Sequence, residues 1–314
     1  MNLEDTSLGA QRGHPLSSRV MFEHAIRLLT VVGVPIRVDP SWLLLAALIT
    51  WSLGGPSGVF LSLYPELAPA VGWTMGGVGA LGLFASILLH ELAHALMARR
   101  FGLHIRGITL FIFGGVAEMA DEPPSPRAEF LVAIAGPLAS VTIGVACFGV
   151  AQVGSAAGWP LAVHGVIGYV ALMNLVLVVF NLVPAFPLDG GRMLRALLWR
   201  WRRNLGWATA ITSRIGGGFG LLLMALGLVG LFRGNFVGGL WQFLIGLFLR
   251  NAARASRRQQ VFRRMLEGER VRDFMVKEPV VVPRHLSVRE FVDDYIYRHQ
   301  HKVYPVEQDG QLLG

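Results

Sequence analysis

The chain has 314 residues, of which 53% are hydrophobic and only 15% charged, with a formal net charge of +8 and a single cysteine. Soluble domains spend about 25% of their residues on charge, so the composition excludes a wholly soluble protein, together with the secreted disulfide-rich, fibrous and disordered classes. The positive charge lies in patches beside apolar runs rather than in a stripe interleaved with exposed aromatics, so no nucleic-acid partner is expected.

Residues 1–37 are mixed and polar, with Glu4, Asp5 and Glu23 among four arginines and no cleavable signal pattern; they are expected to form a cytoplasmic N-terminal segment. A membrane domain follows over residues 38–250. Spanning about 30 Å of hydrocarbon takes roughly 20 mostly apolar residues. That criterion predicts spans near 40–59, 73–100, 127–152, 161–182, 215–232 and 236–249. The last two are short and glycine-rich, compatible with one re-entrant hairpin, so the count is six, with five or four as alternatives. Gly76, Gly77, Gly79 and Gly82 form a small-residue surface suited to close helix packing. Cys147, inside an apolar run, reads as a small buried hydrophobe. Arg99, Arg100, Arg106, Arg127, Arg192, Arg195, Arg200 and Arg214 all fall on one side of this arrangement and only Arg233 on the other, which predicts a multi-pass cell-membrane protein with both termini cytoplasmic, in contact with anionic lipid.

The second span closes on His90-Glu91-Leu92-Ala93-His94. Histidines at i and i+4 share a helix face, so both imidazoles can bind one zinc, with Glu91 in reach of a water as general base. The same pattern arises by chance in unrelated helices. Here it ends an uncharged run of more than twenty residues, and an ionisable group at that depth is functional by default. Zinc needs a third protein ligand, and Asp189 is the first acid after an uncharged stretch running from residue 130 to 188. Asp189 follows Asn181-Leu182-Val183-Pro184-Ala185-Phe186-Pro187-Leu188, where two prolines break the helix, and precedes Gly190-Gly191. Broken backbone at such depth must line protein or water.

These motifs, with Gly136-Pro137 in the span between them, resemble the site-2 protease family of intramembrane zinc metalloproteases over roughly residues 33–253. The resemblance implies an all-α polytopic membrane protein with a small membrane-associated β-hairpin. It implies one Zn2+ held by His90, His94 and Asp189, with Glu91 as catalytic glutamate and Asn181 orienting substrate or supporting the Asp189 segment. The β-prone run 108–116 matches the family's hairpin, and Phe111, Ile112, Phe113, Gly114 and Gly115 are the expected residues for pairing with an extended substrate strand. Where relatives carry Asn shortly after Gly-Pro, this chain has Ser140, a shorter candidate for oxyanion or substrate support. The implied activity is zinc-dependent cleavage of membrane-embedded proteins, and the family suggests release of a tethered regulator. A metal or ion transporter and a non-catalytic scaffold are the rival classes.

Residues 251–270 read as a basic amphipathic linker helix on the inner leaflet or an ordinary connector. Residues 271–314 carry a capping-box pattern at Ser287 and Glu290 between extended runs. They resemble the first part of a small α/β module of the cystathionine-β-synthase (CBS) type, which in relatives is linked to adenine-nucleotide sensing or homodimerisation; nucleotide binding is not assigned to this partial copy. The arginine-, alanine- and glycine-rich composition points to a bacterial source.

Overall fold

Six helices are long and apolar enough to cross a bilayer in the computed structural model, which describes residues 25–119, 122–266, 270–299, 301, 303–308 and 310–314. The chain divides into two compact units at residue 258.

In the first unit, α1 (Ser41–Gly54) and the short α2 (Val59–Leu63) make the first span. α3 (Pro69–Arg100), α4 (Pro126–Ala156) and α5 (Leu161–Asn181) supply the next three. α7 (Leu205–Phe232) and α8 (Phe236–Leu266) supply the last two, the apolar stretch of α8 ending at Arg258. The re-entrant alternative is thereby set aside: α7 starts ten residues before its expected start, because Arg214 reads as a boundary charge in the sequence although the helix runs through it. Glycines let α7 and α8 touch backbone to backbone, since a Cβ on Gly227 would sit 2.6 Å from the carbonyl oxygen of Gly239. Gly76 and Gly82 likewise face α1 and α5, whereas Gly77 faces open space. The basic stretch read as a separate linker after residue 250 continues α8 without a break to Leu266.

The expected hairpin is half of a larger sheet. β1 (Ile26–Val31), β2 (Val34–Val38), β3 (Ile105–Phe111) and β4 (Gly114–Met119) lie in that order. The β1–β2 and β3–β4 pairs are antiparallel; β2 and β3 run parallel with Ile36 opposite Ile108. The polar N-terminal segment expected over 1–37 is therefore a strand pair from residue 26 onward, and residues 1–24 lie outside the described residues. The reason is the period of two in β2: Val34, Ile36 and Val38 point inward while Pro35 and Arg37 do not. Val34, Ile36 and Ile108 bury against Leu92 and Ala95 of α3. The Arg99 guanidinium donates to the carbonyls of Val32 and Gly33 in the β1–β2 turn, tying the sheet to the end of α3.

Between α5 and α7, where the sequence suggests a basic connection, stands α6 (Asp189–Arg202), an amphipathic helix. The second unit contains α9 (Val271–Phe274), a helical stretch over 288–299, and β5 (Val282–Pro283), β6 (Val306–Gln308) and β7 (Gln311–Leu312). β5 is parallel to β6, which is antiparallel to β7. The Ser287–Glu290 capping box is formed, and its hydrogen bonds hold the Glu290 carboxyl below its ordinary value.

Candidate metal centre

α3 stacks His90 and His94 one turn apart, and both are buried. The Nδ1–H of His94 donates to the carbonyl of Val132 (2.7 Å), and Nδ1 of His90 lies 2.9 Å from Oγ of Ser140. With both Nδ1 positions engaged, the free lone pairs are at Nε2. Those two Nε2 atoms are 3.1 Å apart, and Asp189 Oδ2 sits 3.0 Å from the first and 3.2 Å from the second. Three buried acceptors converging this closely require a positive charge among them. Two imidazole nitrogens and a carboxylate oxygen are the donor set zinc takes in catalytic sites. Among the described residues this is the one group of three metal-ligating side chains whose donor atoms lie together, within 4.8 Å of one another.

The space for an ion is kept by a missing side chain. A Cβ on Gly136 of α4 would overlap Nε2 of His94 and come within 2.5 Å of Nε2 of His90. The Gly-Pro pair legible in the sequence is thus a wall of the centre.

Asp189 reaches the imidazoles because the chain folds back after α5. Residues 182–188 form a tight turn with a cis Phe186–Pro187 bond, and α6 begins at Asp189. That turn packs on α7 so closely that a Cβ on Gly216 would collide with the carbonyl oxygen of Phe186. α6 is held to α4 by an ion pair between Arg195 and Glu129, a carboxylate with no solvent exposure. The Arg195 guanidinium also lies 5.2 Å from the centroid of the Phe186 ring. Burial alone would raise the Asp189 carboxyl, but the facing His94 and His90 bring it below the ordinary carboxylate range.

Glu91 is half-buried, and its Oε2 accepts the Ala117 backbone N–H of β4 at 3.2 Å. β4 presses so close that a Cβ on Gly115 would lie 2.9 Å from Cγ of Glu91. Its register is pinned by Glu118, which accepts from the Thr109 hydroxyl (2.7 Å) and pairs with Arg37 (3.4 Å). A cavity of about 400 Å³ is lined by His90, Glu91, His94, Asp189, Asn181 and most of β4.

Of the five residues expected to pair with substrate, only Gly114 and Gly115 lie on the edge strand. Phe111 is in β3, between β2 and β4. Ile112 packs toward α1 and α3, and Phe113 stacks on Phe248 with centroids 4.7 Å apart. Sheet order decides this, and sequence does not reveal which strand is outermost. Ser140 is completely buried with its hydroxyl against His90. Asn181, the last residue of α5, lines the cavity. Sequence reasoning misses Arg192, which lines the same cavity with the Met119 sulfur 3.9 Å from its guanidinium, and the Glu129–Arg195 pair. The available signals were Arg192 and Arg195 at i+3 and i+6 from Asp189, and Glu129 as the last acid before the uncharged stretch.

Residues 78–157 and 148–225 match the model of peptidase family M50. The chain is 37% identical over 92% of its length to Rip3 of Mycobacterium tuberculosis, covering 73% of that protein. It is 32% identical over 93% of its length to zinc metalloprotease MJ0392 of Methanocaldococcus jannaschii, covering 77% of it. The solved site-2 protease from M. jannaschii is similar in fold, with a TM-score of 0.54 and 32% identity over 74% of this chain and 95% of that one. With six apolar spans and a buried His-His-Asp centre fitted to a single zinc ion, the chain belongs to peptidase family M50 and is a multi-pass, intramembrane zinc metalloendopeptidase of the site-2 protease type.

Proposed function

We propose that Glu91 is the proton carrier of peptide-bond hydrolysis and that β4 presents the substrate to it. The observation that carries this reading is the bond from the Ala117 N–H to Oε2 of Glu91, which fixes the carboxylate in the cavity that also contains His90, His94 and Asp189. Zinc, when bound by those three residues, supplies a Lewis acid that activates water and polarises the scissile carbonyl. Glu91 takes a proton from the attacking water and delivers it to the leaving nitrogen. Arg192, in the same cavity, provides a cation for charge developing on the carbonyl oxygen. Ser140 is then a positioning residue for His90, and Asn181 faces the substrate or the segment that carries Asp189.

A membrane-embedded substrate must unwind to expose its carbonyls, and an extended segment can add to the outer edge of β4. A groove of about 1000 Å³ between α1, α3 and α8, walled by Ile49, Leu83, Trp241 and Leu244, ends at Phe113 and Gly114 and offers an apolar helix a lateral route to that edge. The one-sided arginines support cytoplasmic placement of both termini. For the second unit, the parallel β5–β6 pair with a helix between them, followed by the antiparallel β7, supports the CBS-type reading, with homodimerisation as its expected role.

The test compares Glu91→Gln with Asp189→Ala in purified protein reconstituted with a model transmembrane substrate. Glu91→Gln should retain one zinc per chain and lose at least about 10²-fold in cleavage, whereas Asp189→Ala should lose the zinc as well. Wild-type cleavage by Glu91→Gln would end the assignment.

A further inference from the structure

On the outside of the helix that carries Asp189, α6 and the first turn of α4 enclose two adjoining cavities that the proteolytic chemistry does not use. One, of about 270 Å³, is apolar along Phe130, Leu131 and Leu197; the other, of about 470 Å³, is walled by Trp199. Pro126 and Arg200 border both. Arg127 rims the first cavity and Arg203 the second.

We propose that this cleft is a binding site for one anionic phospholipid, its acyl chains along the Phe130–Leu197 wall and its phosphate on Arg127, Arg200 and Arg203. The level in the bilayer is right: Pro126 opens the third span, while α6 lies outside the spans, between one that ends at Asn181 and one that starts at Leu205. α6 also presents apolar surface outward, with Leu197 54% and Trp201 71% exposed, as a helix lying in the interface does. The charge is uncommitted. The other arginines of α6 are engaged: Arg192 with Met119, Arg195 with Glu129, and Arg202 over the Trp201 and Trp207 rings. The guanidinium groups of Arg127, Arg200 and Arg203 have no hydrogen-bond or ion-pair partner among the described residues, and all three residues are exposed. Arg203 moreover holds the left-handed conformation that ends α6 (φ 53°), a position where glycine is the unstrained choice. An arginine there costs stability and gains a cation at the mouth of the cleft.

Native mass spectrometry of the full chain, released from detergent with phosphatidylglycerol or phosphatidylcholine added, tests the site. The wild type should retain one phosphatidylglycerol in preference to phosphatidylcholine. An Arg127→Gln/Arg200→Gln/Arg203→Gln variant should bind it about 10²-fold more weakly, from the usual contribution of each basic group near an anionic surface. Arg254→Gln/Arg257→Gln/Arg258→Gln, which removes the same charge from α8, should bind it as the wild type does. If the first triple variant does not fold, Arg200→Gln alone should still weaken retention several-fold. Equal losses in both triple variants, equal retention of phosphatidylcholine, or displacement of the lipid by millimolar inorganic phosphate would each overturn the proposal.

Discussion

Gly136→Ala adds one methyl group to the wall of the metal centre, and its cost can be worked from the geometry. A relaxed carbon–nitrogen contact is about 3.5 Å, yet the new carbon would stand 2.5 Å from Nε2 of His90 and nearer still to Nε2 of His94. Either the rings or α4 must retreat by about 1 Å, and a displacement of that size in a reacting constellation costs about 10²-fold in rate. Overpacking a tight site costs about 1–3 kcal/mol, while alanine in place of a helical glycine returns up to about 1 kcal/mol, so overall stability should change little. The expected signature is selective: zinc content by plasma mass spectrometry falls from one per chain toward zero and cleavage falls at least 10²-fold, while the melting temperature moves by only a few degrees. Gly149→Ala is the control on the same helix, because nothing lies within 4 Å of its Cβ; it should keep zinc and activity. A Gly136→Ala protein with full zinc content and normal cleavage would refute the placement of the ion between the imidazoles.

Two further expectations concern the supports of the centre. Ser140→Ala removes the hydroxyl beside Nδ1 of His90, and zinc affinity measured by chelator competition should fall about 10- to 100-fold; unchanged affinity would remove Ser140 from that role. Glu129→Gln leaves Arg195 without its buried partner, which should cost about 3–5 kcal/mol in unfolding. A Glu129→Leu/Arg195→Leu double variant should recover much of that loss, and failure to do so would mean the pair acts through something other than mutual neutralisation.

The parts of the fold that follow from composition and helical period were legible in the residues alone. A helix crossing hydrocarbon leaves an apolar run that no other element needs, and His90 and His94 share a face by spacing alone. Asp189 could be singled out because a charge after so long an uncharged stretch demands a partner. What escaped depends on tertiary neighbours. Thr30, Arg27 and Arg37 disguise the strands before α1, whose inward residues make sense only against Leu92 and Ala95. The outermost position of β4 follows from strand order, so Phe111 is counted as edge when it is interior. Ser140, a candidate for oxyanion or substrate support, has its hydroxyl beside His90 because α4 presents it to α3 one turn beyond Gly136, a juxtaposition that spacing alone does not show.

The two imidazoles ride on α3, whereas the carboxylate arrives on α6, which is bolted to α4 by Glu129 and Arg195. The ion is therefore a rivet between parts of the chain that are synthesised about a hundred residues apart. Until it is in place, three lone pairs face one another across the joint, and the Glu129–Arg195 pair is what keeps α6 against α4. A newly inserted copy would thus stay unarmed until loaded, a safety catch for an enzyme born among the very membrane proteins it is able to cut.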